Sequence, residues 1–135
     1  MRQDPKNTVQ PFIQQLNIMA EGGETVRVWA NFDDGALANA MLLAKFNAIK
    51  HHLGHYKASS RLLRMVDGTI VRPRAVWEGE MEIKGIRVHS SFEVFDSGGN
   101  WEFLFGNPLL TAFHAVHKYT FDTVMIENRG RTAVL

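Results

Sequence analysis

Apolar and polar residues alternate along much of this chain, and the alternation outlines strands. Thr25–Phe32 is the clearest case. Val26, Val28, Ala30 and Phe32 fall on one side and Thr25, Arg27, Trp29 and Asn31 on the other, the period-two pattern of a half-buried strand. Residues 12–20 form a matching run before it. Glu21-Gly22-Gly23-Glu24 lies between the two and predicts a hairpin turn, since glycine takes positive φ without steric cost. Residues 37–53 change period: Leu42, Phe46, Ile49 and Leu53 recur at helical spacing, and Gly54 is placed to cap the helix.

Residues 61–66 and 69–77 read as a second hairpin about Asp67-Gly68, a strong two-residue turn signal. Pro73 offers no N–H to a ladder and predicts an edge position for the second arm. Residues 80–84 and Ile86–Phe95 follow on either side of Gly85. In the latter, Ile86, Val88, Phe92 and Val94 share an apolar face, with Arg87, His89, Ser91 and Glu93 opposite. Asp96-Ser97-Gly98-Gly99-Asn100 is a loop by composition. Residues 101–105 make a short apolar strand stopped by Gly106. Asn107-Pro108 opens a second short helix reaching about His117, with proline suited to its first turn. Residues 119–126 and 131–135 are final strands around Asn128-Arg129-Gly130. The prediction is a mainly β chain with two short helices, each placed just after a strand that ends near a glycine.

Composition narrows the function classes. The 135 residues suit one domain, and 45% hydrophobic content suffices for a packed core. A formal net charge of +1 gives no sign of a nucleic-acid or anionic-membrane surface. There is no cysteine, hence no disulfide framework and no thiolate metal site. That fits a reducing, intracellular location better than secretion. The polar first ten residues lack the apolar core of a signal peptide, and no apolar run approaches the length of a membrane span. Residues 1–11 are expected to be a flexible arm and residues 12–135 the domain.

The candidate chemistry sits where the best strand meets the helical segment, at Asp33-Asp34-Gly35-Ala36. An acid at a strand end, followed two residues later by glycine, is held by backbone at a tight turn and presented outward. A solvated turn is the alternative reading, since Asp and Gly are common turn residues. An acid there also sits favourably near the N-terminus of the following helix. His51, His52 and His55, or His114 and His117, could suggest a metal. No acid or cysteine completes a convincing ligand set, so they read as surface histidines, and neither metal nor cofactor is expected. Arg61, Arg64, Arg72 and Arg74 flank the second hairpin. They read as a solvated face, with pairing to substrate or acid as the other possibility. Trp29 and Trp77 are expected to pack, with contact to substrate or partner as the other reading for Trp29, which lies near the turn.

The order strand, acid-x-Gly-Ala, helix, then a Gly-tipped hairpin, then strand, apolar-apolar-Gly, helix resembles the retropepsin-like aspartic proteases. The first motif is Asn31-Phe32-Asp33-Asp34-Gly35-Ala36 and the second Leu104-Phe105-Gly106. The pattern spans roughly residues 12–126 and is most similar to protease domains of Ty3/gypsy-type retrotransposons, especially fungal ones. The resemblance implies a single-lobe acid-protease β-barrel acting as a homodimer on a peptide or polyprotein substrate, one aspartate from each subunit, with residues 131–135 and Phe12 and Ile13 available for the dimer sheet. Carried over by position, Asp33 is the catalytic carboxylate, and Asp34, Gly35 and Ala36 complete its loop. Val66, Asp67, Gly68 and Thr69 form the flap. Leu104, Phe105 and Gly106 brace the loop, and Ala36 and Ile70 line the pocket. Phe95-Asp96-Ser97-Gly98 matches the family motif more literally, but it lies too close to Gly106 for an intervening hairpin and reads as a loop.

One position departs from the family pattern. Asp34 stands where the family has Ser or Thr, whose hydroxyl helps grip the partner subunit. An ionised carboxylate accepts hydrogen bonds but cannot donate them. A dimer would bring two copies of Asp33 and Asp34 together, which predicts that association and cleavage favour acidic pH. The sequence therefore carries two principal readings: an aspartic endopeptidase, and a catalytically inactive dimerisation or peptide-binding module of the same fold. A third is an unrelated β-barrel whose acidic turn is incidental.

Overall fold

A computed structural model describes residues 12–64, 68–96, 101–118 and 122–135. Strand β1 (Phe12–Met19) and β2 (Thr25–Phe32) form the first hairpin, paired from Phe12↔Phe32 to Met19↔Thr25. The apolar face of β2 is inside, with Val28 and Ala30 at 1% and 0% exposure. The opposite face is solvated, Trp29 included at 57%. Trp29 therefore does not pack into the core. Trp77 does, stacked on Phe92 with ring centroids 5.5 Å apart.

The helical segment begins later than its periodicity suggests. Residues 40–42 form β3 (Ala40–Leu42), and helix α1 (Leu43–Leu53) follows. The reason is tertiary: Ala40 and Met41 are buried, and β3 is clasped between two strands from the far end of the chain. Helix α1 buries Phe46 and Leu53 and ends at Gly54, whose φ of 62° lies in the region glycine favours.

The second hairpin is short, β4 (Leu63–Arg64) against β5 (Ile70–Val71), with Leu63↔Val71 and Arg64↔Ile70 in register. Its predicted tip residues Val66 and Asp67 lie outside the described residues. Pro73 separates β5 from the next strand, so the expected single arm 69–77 is two pieces. The second of these runs through residues 80–84 as one strand, β6 (Ala75–Ile83). It pairs along its length with β7 (Ile86–Phe95). The far end of β7 is covered on both faces: Glu93, expected on the solvated side, is 2% exposed.

Strand β8 (Phe103–Phe105) leads into helix α2 (Asn107–Ala112). Helix α2 stops short of the predicted His117 because residues 116–118 join a sheet instead. That sheet contains β9 (Val116–Lys118), β10 (Thr123–Asn128) and β11 (Arg131–Val134), with β10 central. The six strands β1-β2-β8-β3-β7-β6 close into a barrel. Leu16, Ile18, Met81, Phe92 and Phe103 are at 1% exposure or less inside it, and apolar burial of this kind is the main stabilising contribution.

Candidate active-site loop

Strand β8 threads between β2 and β3. It runs parallel to β2, pairing Asn31↔Leu104 and Phe32↔Phe105, and antiparallel to β3, pairing Ala40↔Leu104. The turn of residues 33–39 joins its two neighbours and so must pass over its C-terminal end. This arrangement brings the two sequence motifs together. The Asp33 N–H donates to the Phe105 carbonyl at 3.0 Å, and the Asn107 N–H donates to the Ala36 carbonyl at 2.9 Å. The rings of Phe32 and Phe105 stack at 4.0 Å, nearly parallel. Phe105 is fully buried and Leu104 half-buried.

Gly106 is required by close approach. A Cβ there would lie 2.4 Å from the Ala38 carbonyl oxygen and 2.9 Å from that of Ala36, closer than atoms can pack without the loop moving. Above it, Asp33, Asp34 and Gly35 are exposed. Asp33 Oδ1 accepts a hydrogen bond from the Gly35 N–H at 2.9 Å, and the Asp33 carbonyl accepts one from the Ala36 N–H at 3.2 Å. These bonds fold the turn back on its own acid. The loop therefore presents a carboxylate at the barrel surface with its backbone pinned from below, an arrangement suited to proton transfer.

Asn39 holds the loop and was not singled out in the sequence. It is 2% exposed. Its Oδ1 accepts from the Gly106 N–H at 3.0 Å and the Leu109 N–H at 3.4 Å. Its Nδ2 donates to the Ser91 carbonyl at 2.8 Å and to Ser90 Oγ at 3.2 Å. One amide thus ties the loop to the start of α2 and to β7, and a buried amide this fully engaged is a rigid fixture. The only local signal for it is a polar residue flanked by small ones, which is too common to find it.

Of the hairpin residues, Gly68 and Thr69 are exposed. A small cleft beside the loop is lined by Leu37, Ala38, Asn39, Arg61, Glu93 and Pro108, among others. Ala36 and Ile70, expected in the pocket, do not line this cleft. Four of the five candidate histidines pair with acids, His52 with Glu24, His55 with Glu21, His114 with Glu127 and His117 with Asp122, and the exposed His51 lies against the His52 ring. Among the described residues no three potential metal ligands converge. Asp96, the decoy acid, pairs with Arg74.

No family model matches the chain, and no curated protein is similar to it. Among solved structures it is similar to the retroviral protease-like domain of Ddi1 from Leishmania major, at a TM-score of 0.62 and 16% identity, covering 95% of this chain and 96% of that one. With the closed barrel and the clasped β8, this likeness shows a retropepsin-like, single-lobe, mainly β fold.

Proposed function

We propose that this chain is an aspartic-type endopeptidase of retroelement origin, with Asp33 as its catalytic carboxylate. The observation that carries the reading is an exposed acid on a loop whose backbone is fixed by the buried β8 end and by Asn39. The sequence holds one Asp-x-Gly-Ala motif, so a second copy of the chain is proposed to supply the other acid, in a homodimer. Two carboxylates a few ångströms apart cannot both ionise cheaply and share a proton. The ionised one takes a proton from the water that attacks the peptide carbonyl. The protonated one stabilises the developing oxyanion and then helps the amine leave. Gly35 and Ala36 shape the turn, Leu104, Phe105 and Gly106 brace it, and the β4–β5 hairpin is assigned the flap, the role the family resemblance gives to Val66, Asp67, Gly68 and Thr69.

Asp34 favours a second reading, a non-catalytic peptide-binding or dimerisation module, because a carboxylate in the hydroxyl position adds repulsion where the family has a grip. Digestion of a denatured protein at acidic pH separates the two. Cleavage that a statine-type peptide inhibits and Asp33→Asn abolishes supports the endopeptidase. A folded dimer that cleaves nothing at any pH supports the module.

A further inference from the structure

The cleft beside the Asp33 loop is small and open to solvent. Leu37, Ala38 and Asn39 of the loop form one wall, and Arg61 and Glu93 contribute the charged groups. Glu93 is 2% exposed. Both of its oxygens are engaged: Ser59 Oγ donates to Oε1 at 2.9 Å, and Arg61 Nη1 donates to Oε2 at 3.2 Å. A buried carboxylate is costly without its cation, so this contact holds Arg61 from its inner side. The outer side is free. The Arg61 side chain is 56% exposed, and its guanidinium has no other acceptor among the described residues. A guanidinium carries five N–H donors in a planar fork that matches a carboxylate.

The pair therefore lines the cleft with a carboxylate whose two oxygens are both taken and a guanidinium with donors left over. A basic side chain entering there would face Arg61 and find both Glu93 oxygens engaged. An acidic one would find donors already aligned, and pre-alignment lowers the entropy lost on binding. The same hairpin region carries Arg64 and Arg72, both exposed and without an ion-pair partner among the described residues. On the other side, Asp33 and Asp34 disfavour acids nearer the loop, which confines the preference to the position that reaches Arg61.

We propose that this cleft is a subsite for one acidic side chain of the peptide substrate, with Arg61 reading it and Glu93 as the positioning residue that holds Arg61. The inference rests on Asp33 marking the peptide-binding face. Two measurements test it. Asp33→Asn protein is used to select from a random displayed-peptide library, and the unaltered chain digests a degenerate peptide pool whose products are sequenced by mass spectrometry. Asp and Glu should be enriched over Asn and Gln at one position on the order of tenfold, the scale of a partly exposed charge-assisted hydrogen bond. The double variant Arg61→Met with Glu93→Gln removes both charges together and leaves no buried carboxylate unpaired. It should bring the ratio to about one, whereas Arg61→Lys should retain part of it. Enrichment that survives the double variant, enrichment of Lys or Arg at that position, or no enrichment at all overturns the subsite. Acid enrichment in the selection without cleavage of the pool leaves the subsite standing and removes the catalytic reading. Cleavage without acid preference does the reverse.

Discussion

Both polar atoms of the Asn39 side chain are engaged, with two partners at the start of α2 and two on β7. Replacing it with Leu keeps the branched shape but strands the buried Gly106 N–H and leaves the Leu109 N–H only its bond to the Gly106 carbonyl. The expected cost is roughly 2–4 kcal/mol, read as a lower urea midpoint at unchanged slope. Asp33 is the opposite case. It is exposed, and the bond from the Gly35 N–H can be accepted equally well by an amide oxygen. Asp33→Asn should therefore alter stability by no more than about 0.5 kcal/mol while abolishing any cleavage. If the variant unfolds instead, its loss of activity carries no information about catalysis. The contrast separates a residue that builds the loop from one that uses it.

At the scale of elements, the loop stands where it does because β8 is shared by strands from both sides of the turn. The β4–β5 hairpin is tied to this assembly on its β4 side through Ser59 and Arg61, which precede β4 and bond Glu93 on β7, and on its β5 side through the Arg74 N–H, which donates to the Val94 carbonyl. Glu93 in turn donates its backbone N–H to the Asn39 carbonyl at 3.0 Å, so the hairpin base and the loop meet at one residue. Removing Arg61 alone leaves a buried charge without its cation. A fully buried pair broken this way costs about 3–5 kcal/mol. Half-exposure of Arg61 reduces the expected loss to roughly 1–2 kcal/mol. Arg61→Ala should thus be less stable than Arg61→Met with Glu93→Gln, although the second changes more residues. Thermal melts of the two, alongside the unaltered chain, check the order.

For the whole molecule the decisive quantity is association. The proposed homodimer places two Asp33 and two Asp34 side chains around one axis. A single like-charge pair at roughly 4 Å costs about 4 kcal/mol at an effective dielectric near 20. Protonation removes that repulsion, and a protonated Asp34 can donate as a hydroxyl would. Association should therefore tighten as pH falls through the carboxylate range, with a lower dissociation constant by sedimentation at roughly pH 5 than at roughly pH 8. Equal affinities at the two pH values would remove the repulsion argument. Strand β11 is the outer strand of its sheet; Lys84 Nζ already donates to its Val134 carbonyl at 3.0 Å, so the dimer contact expected of residues 131–135 would have to displace that bond or use the rest of the edge.

Several features were determined by local sequence alone, because each follows from a short-range rule. The alternation of β2 placed Val28 and Ala30 inside, the Glu21–Gly23 turn closed the first hairpin, and Gly54 ended α1. The family resemblance, not a short-range rule, set residues 104–106 against residues 33–36, and the Asp33–Phe105 and Asn107–Ala36 bonds bring the two segments together. Tertiary structure decided the rest. Residues 40–42 keep to a helical spacing yet form β3, since pairing with β7 and β8 outweighs a weak local preference. Glu93 lies on the polar side of an alternating strand and is buried, because the hairpin base folds across it. Asn39 shows nothing in sequence of its four bonds, whose partners lie 51 to 70 residues away. Periodicity reports which side of an element is apolar; which chain segment comes to rest against that side is set only when the barrel closes.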